Sequence, residues 1–239
     1  MISVCIPTYN GGKFIRLQLE SILSQLSNDD EVIISDDSSS DNTLEIINSF
    51  QDKRIRVFSN NTFHSPIYNL ENALKQAKGD YIFLSDQDDE WKLNKVTVVM
   101  EHLKNAELVV HDAEVVDGEG NLSFNSFYEL NHTKYGKFYN LLKNGYVGCC
   151  MAFNRHVLEA CLPFPKNIPM HDLWIGNVAA FNCGRVLFIK DKLLSYRRHG
   201  NNASITGEKS HRSIYARISD RLSIIQNILR LRRNIKEKK

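Results

Sequence analysis

Tyr81-Ile82-Phe83-Leu84-Ser85-Asp86-Gln87-Asp88-Asp89-Glu90-Trp91 is the stretch from which the fold of this 239-residue chain is read. Its first four residues form a short, continuous apolar run led in by Gly79-Asp80, the pattern of a buried strand. A strand ending in Asp-Gln-Asp-Asp delivers carboxylates to the C-terminal edge of its sheet, and in open α/β sheets ligands bind at that edge. Adjacent anions repel one another unless a cation sits among them. Oxygen donors suit Mn²⁺ or Mg²⁺, ions that complete their shells with substrate phosphates. The plain alternative is a solvated turn capping a helix that begins near Trp91, since Asp is a favoured N-cap. The strand in front, and matching rims elsewhere, favour a site.

Outward from this stretch, strand and helix patterns alternate. Residues 2–6 read as a strand, followed by the turn Pro7-Thr8-Tyr9-Asn10-Gly11-Gly12 and a helix to about Leu26. Residues 31–35 are a second strand, ending in Asp36-Asp37-Ser38-Ser39-Ser40-Asp41. A short helix follows, for which Asp41 is the expected N-cap. Residues 54–58 form a third strand and 66–77 a helix; a helix over 91–103 and a strand over 108–111 follow the central stretch. Beyond Asp112 the pattern is irregular, with one last strand at 185–189. Repeated βα units of this kind imply an α/β fold with a mostly parallel sheet.

Five scattered cysteines without a C-x-x-C pair point to reduced thiols, not a disulfide framework or a zinc site. A strand pattern starting at Ile2, and no run near the roughly 20 apolar residues of a spanning helix, lead us to expect a cytoplasmic protein. Charge divides the chain. Residues 209–239 hold ten Lys/Arg against Asp220 and Glu237, a net +8. The rest holds 20 cations and 26 anions, a net −6. We therefore expect a body over 1–208, with halves 1–112 and 113–208, and a basic helical tail over 209–239.

Three strands thus end in polar residues at one rim: Pro7-Thr8-Tyr9-Asn10, Asp36-Asp37, and Asp86 with Asp88. A rim carboxylate there can accept hydrogen bonds from a ribose or base. A turn-and-cap cluster is the plainer reading of residues 36–41. Neither G-x-G-x-x-G nor G-x-x-x-x-G-K-[ST] occurs, which weighs against dehydrogenases and P-loop enzymes. Phosphates must then be held by metal and side chains.

Taken together, 2–10, 31–43 and 84–89 resemble the family 2 glycosyltransferases of the GT-A (Rossmann-like) fold, in order and spacing across residues 1–110. The family usually has Gly where Ser38 stands, so a positive φ is expected at that position. The resemblance implies that Pro7, Thr8, Tyr9 and Asn10 line the nucleoside and that Asp36 and Asp37 contact the base. It also implies that Asp86 holds ribose or metal, and that Asp88 is the principal ligand of Mn²⁺ or Mg²⁺ on the donor diphosphate.

Inverting transfer needs a base for the acceptor hydroxyl. Asp172, in Met170-His171-Asp172-Leu173-Trp174, stands where the family carries its base carboxylate, with an N-cap as the competing reading. His171 is a candidate to orient it and Trp174 a candidate to stack on acceptor sugar. In Tyr196-Arg197-Arg198-His199-Gly200-Asn201-Asn202, Arg197 and Arg198 are candidates for the diphosphate and His199 for the metal shell. These last two stretches resemble the rhamnosyltransferase-like branch, implying a dTDP-L-rhamnose donor. The acceptor implied is a glycan or lipid-linked glycan of cell-surface polysaccharide synthesis, such as capsule or O-antigen. A UDP-hexose enzyme, a metal-dependent nucleotidyltransferase and a catalytically silent binding module are the competing classes; nothing points to nucleic acid. Ile214, Ile218, Leu222, Ile225 and Leu229 recur at helical spacing among arginines. That is the pattern either of a helix packed on the acidic body or of a peripheral contact with an anionic inner membrane face.

Overall fold

The computed structural model describes residues 1–199 and 213–237, with the side chains of 214 and 234–237 left aside. Gly200, Asn201, Asn202, and residues 209–212 and 238–239 of the tail lie outside the described residues.

The first half is a set of parallel strands joined by helices. Strand β1 (Ile2–Thr8) pairs on one side with β2 (Glu31–Asp36), which pairs with β3 (Ile55–Phe58), and on the other with β4 (Tyr81–Leu84), all parallel. Helices α1 (Ile15–Leu23), α2 (Thr43–Ser49) and α3 (Pro66–Gln76) make the crossovers. Strands β1, β2 and β4 are nearly all buried, as parallel strands covered on both faces must be. Helix α1 buries Ile15, Leu19 and Ile22 at i, i+4, i+7, each worth roughly 1.5–3 kcal/mol of apolar burial. Gly79 lies so close to β1 that a Cβ there would stand 2.7 Å from Ser3 N, hence no side chain at that crossing.

The second half completes the same nine-stranded sheet, in the order β3-β2-β1-β4-β8-β6-β9-β5 with β7 on β6. Strand β5 is Glu90–Trp91 and β6 is Leu108–Val116. Beyond them come β7 (Leu122–Phe124), β8 (Met151–Asn154) and β9 (Val186–Arg197). The strand expected at 108–111 is longer, so residue 112 falls inside β6. Strand β8, buried between β4 and β6 and antiparallel to both, has no counterpart in the sequence reading. Its Met-Ala-Phe run is too short to separate from the apolar stretch before it. Strand β9 runs on to Arg197, well past its expected end, because two register shifts let it bend along β6.

Two helix starts are corrected. Helix α4 begins at Lys95 and ends at Leu103; Trp91 is in β5, paired with Leu194 of β9, and Asn94 at φ 69 makes the turn. At α2 the N-cap is Asn42, while Asp41 Oδ1 accepts from Thr43 N and Oδ2 from Gly12 N. The remaining helices are α5 (Phe127–Leu130), α6 (Lys137–Leu142), α7 (Arg155–Cys161), α8 (His171–Val178), continued by a π-helical turn at Ala179–Cys183, and α9 (Ile214–Glu237). All five cysteines are free thiols. Among the described residues no helix is long and apolar enough to cross a membrane.

Candidate active site

The loops after β1 and β2 are locked together beneath the rim. Asp36 is 0% exposed; its carboxylate accepts from Thr8 Oγ1 (2.8 Å), Ser39 N (2.9 Å) and Ser39 Oγ (2.6 Å). This corrects the expectation that Asp36 touches the base: it is the internal tie that shapes the rim. Asp37 lies nearer the opening, its Oδ1 accepting from Phe63 N at 2.7 Å and Oδ2 from Ser65 N at 3.3 Å. Between Asp37 and Ser39, Ser38 adopts φ 61, the left-handed conformation expected from the position's usual glycine, and its Oγ donates to Asn61 O at 2.6 Å. Thr8 is buried and Pro7 half-buried, whereas Tyr9 and Asn10 face the opening. Gln87, a residue the sequence reading passed over, accepts from Tyr9 N and donates to Tyr9 O, clamping the β1 loop to the acidic turn.

The acidic turn gathers its carboxylates differently from the expected Asp86–Asp88 pair. Ligand atoms of Asp86, Asp89 and Cys149 all lie within 4.8 Å of one another. Asp89 is buried; its Oδ1 accepts from Arg197 N at 2.9 Å, and its Oδ2 has no hydrogen-bond partner. Burial, and then the Asp88 charge, push the Asp86 carboxyl up to about 7; the same two causes push Asp89 well up. Asp88 is not part of that trio; its Oδ2 lies 2.8 Å from His199 Nε2, and the His199 ring stacks on Phe14 at 5.0 Å.

A buried cation completes the cluster. Lys95 donates from Nζ to Cys149 O at 2.9 Å and stands 4.2 Å from the centre of the Trp91 ring. Burial lowers its pKa to about 8, against the pull of Asp89 and Asp86. Sequence offered one signal for it: Lys95, Val99 and Leu103 form the buried stripe of α4, so a lysine occupies a core position.

The carboxylate oxygens of Asp86 and Asp89, among them the orphaned Asp89 Oδ2, are hard donors that fit a divalent cation, and Asp88 with the His199 imidazole stands next to them in the same turn. A hydrogen bond with Cys150, and then burial, keep Cys149 a thiol, so it serves the cluster as a neutral neighbour. Arg197, expected at the diphosphate, is itself buried. Its Nε donates to Asp88 O at 3.0 Å, a terminal nitrogen to Asp117 O at 3.3 Å, and its guanidinium lies 5.1 Å over Phe14. It braces the acidic turn, which corrects its placement at an open phosphate site. Arg198 is half-buried. A backbone bond of 2.8 Å from its N to Val116 O sets it at the end of β9, beside the acidic turn.

Asp172 sits in the first turn of α8, whose N-cap is Met170, so capping is not its task. Its Oδ2 accepts from Asn144 Nδ2 at 3.1 Å. Burial raises its pKa to about 6, against opposing hydrogen bonds from Leu173 N and Asn144 and the Arg221 charge. Its own charge in turn adds to the upward push on Asp86, which ties the base candidate to the acidic cluster. His171 does not orient Asp172: burial lowers its pKa to about 4, its Nδ1 finds no partner, and its ring packs against Gly148. The side chain bonded to Asp172 is Asn144, for which the sequence carried no signal. Trp174 is buried with Nε1 donating to Cys161 O at 2.9 Å, which corrects its expected place on an acceptor sugar.

Comparison with known proteins agrees with this geometry. Residues 3–162 match the family Glycosyl transferase family 2. A UDP-Glc:alpha-D-GlcNAc-diphosphoundecaprenol beta-1,3-glucosyltransferase, WfgD of Escherichia coli, is 29% identical over 77% of this chain and 74% of its own length. The dTDP-rhamnosyl transferase RfbG of Shigella flexneri is 27% identical over 82% and 72%. Among solved structures, S. aureus TarS 1-349 in complex with UDP-GlcNAc superposes with a TM-score of 0.68 at 18% identity, over 96% of this chain and 66% of that one. With the family matched over most of its length and the sheet order and acidic turn in place, the chain belongs to glycosyl transferase family 2 and is a glycosyltransferase of the GT-A fold.

Proposed function

We propose that the chain is an inverting, metal-dependent glycosyltransferase. It moves a hexosyl group from a nucleoside-diphosphate donor to a glycan or lipid-linked glycan during cell-surface polysaccharide synthesis. The observation that carries this reading is Asp172: a carboxylate separate from the acidic turn, held by Asn144, with its pKa raised to about 6. A base with a pKa near the working pH combines a deprotonated ground state with useful proton affinity.

In this reading Tyr9, Asn10 and Asp37 line the nucleoside, with Pro7, Thr8 and Asp36 supporting them from below. Asp86, Asp88, Asp89 and His199 would hold Mn²⁺ or Mg²⁺, and Arg198 would face the diphosphate while Arg197 braces the turn. Such an ion, when bound, would supply an electrophile for charge developing on the leaving diphosphate. Asp172 takes the acceptor hydroxyl proton as that oxygen forms its bond to the anomeric carbon. The carbon–oxygen bond to the diphosphate breaks with its electron pair leaving on the nucleotide, and one displacement inverts the centre. Lys95 offsets part of the carboxylate repulsion throughout.

Two donors compete. The stretches 170–174 and 196–202 favour dTDP-L-rhamnose, the donor type in the name of RfbG. A UDP-hexose is the second reading, favoured by the UDP-Glc in the name of WfgD. The diphosphoundecaprenol acceptor of that relative supports a lipid-linked acceptor, and with it work at the cytoplasmic membrane face through residues 209–239. The test is a panel of nucleotide sugars scored for nucleoside-diphosphate release, with Mn²⁺ and with chelator. Release from one donor in Mn²⁺ alone supports the reading. Pyrophosphate as product would identify a nucleotidyltransferase, and no release from any donor a binding module.

A further inference from the structure

Helix α9 carries two apolar stripes, and the body uses only one. Ile224 and Ile228 are buried, with Leu231 packed beside them, and α9 meets the body at α8 and the turn Ala179–Cys183. Ser223 Oγ donates to Asn167 O and Asn227 Nδ2 to Asn167 Oδ1, fixing the helix in register. The second stripe is Ile218, Leu222, Ile225 and Leu229. At about 100° per residue these four fall within roughly 60° of one another and well away from the inner stripe. Ile218, Leu222 and Leu229 remain about half exposed. A helix that served only to pack on the body would present a polar outer face.

A second exposed apolar element lies next to α9. On α6, Phe138 is 69% and Leu142 72% exposed, one helical turn apart. One arginine of α9 reaches α6: Arg221 Nε donates to Leu142 O at 3.2 Å. A second, Arg232, lies 5.9 Å over Phe181 of the π-helical turn, whose ring meets Phe138 of α6 at 5.7 Å. Exposed arginines 217, 230 and 233 flank the stripe, and the 209–239 segment carries ten cations against two acids.

We propose that the outer stripe of α9 and the exposed face of α6 form one docking surface for an anionic lipid bilayer. The surface holds the membrane plane beside the base; this rests on the lipid-linked reading of the acceptor. Apolar side chains in a row with arginines on their flanks match a helix lying in the plane of a charged interface, where acyl chains take the former and headgroups the latter. A second copy of this surface would bring arginine against arginine, so charge selects the lipid. Position gives the surface its use. Leu142 is two residues from Asn144, the side chain that holds Asp172, and Arg221 adds its charge to the environment of Asp172. A lipid-linked sugar standing up from the bilayer therefore meets Asp172 at the edge of the patch.

The experiment is co-sedimentation of the full chain with phosphatidylglycerol/phosphatidylcholine vesicles and with pure phosphatidylcholine vesicles, at low and high salt. Wild type should pellet with the anionic vesicles and be released by salt. Leu142→Glu and Leu222→Glu, both at exposed positions, should each weaken partitioning by about tenfold. Circular dichroism should be unchanged, as should nucleoside-diphosphate release with a soluble acceptor. Wild-type behaviour of both variants on vesicles would overturn the surface. So would a wild-type dimer in analytical ultracentrifugation that Leu222→Glu dissolves, since the occupant would then be a second copy. Loss of vesicle binding in the variants of a chain that releases no nucleotide from any donor would leave the surface standing and sink the transferase reading instead.

Discussion

His199 Nε2 lies 2.8 Å from Asp88 Oδ2, joining residues 111 positions apart in sequence across the mouth of the acidic turn. The contact brings a residue just past β9 to the proposed cation site. Asp88→Asn should leave the chain folded and abolish transfer, removing several kcal/mol of transition-state stabilisation. His199→Ala should weaken Mn²⁺ binding by about tenfold or more in calorimetry of the free protein. Near-normal turnover of Asp88→Asn in chelator would falsify the metal role.

The pH dependence of turnover follows from Asp172. A base with a pKa of about 6 is protonated below that value, so the acid limb of the kcat profile should fall with a midpoint near pH 6. A limb near pH 4, where an ordinary Asp titrates, would show that the working base is another group.

Stability should move the opposite way from activity. The Asp172 pKa is raised in the fold, so the folded chain prefers the protonated form. The cost of the charge is absent below the unfolded pKa near 4, grows as pH rises, and is complete above about 6. Asp172→Asn should therefore stabilise the protein by about 3 kcal/mol at pH 7.5 and by nothing at pH 3.5, read from urea midpoints. Equal effects at both pH values would contradict the burial account.

Ser38 tests the loop geometry. A left-handed φ costs a residue with a Cβ about 1–2 kcal/mol, and the Ser38 Oγ bond to Asn61 O returns about 1 kcal/mol. Ser38→Gly should thus be near neutral in urea, because strain and hydrogen bond leave together. Ser38→Val loses the bond and adds β-branching, and should cost about 2 kcal/mol. A neutral valine would mean the loop does not hold this conformation in solution.

The part of the site that was legible in sequence is the part built from consecutive residues. The strands ending in Thr8, Asp36 and Leu84 announce themselves because a buried strand is a local apolar run, and its rim follows directly. The positive φ at Ser38 was legible through the family resemblance, which places a glycine at that position. What each rim carboxylate does was not. Asp36 became an internal tie because Thr8 and Ser39 close over it, and Asp89 joined Asp86 because Arg197 arrives from β9 to hold the turn. Those partners are tertiary, so no spacing encodes them. Strand β8 was missed because four residues among glycines and apolar neighbours carry no period. The two stripes of α9 show a third kind of limit: the sequence displayed the outer one and hid Ile224 and Ile228 behind it.

The central claim is a division of labour, with the acidic turn serving the donor and Asp172 serving the acceptor. It is tested most directly by measuring donor affinity and turnover separately in Asp172→Asn, which keeps the shape and removes proton acceptance. Calorimetric affinity for the active nucleotide sugar in Mn²⁺ should be unchanged, and kcat at saturating acceptor should fall by about 10²–10⁴. A collapse of donor affinity with turnover at saturation preserved would place Asp172 in the donor site and contradict the account.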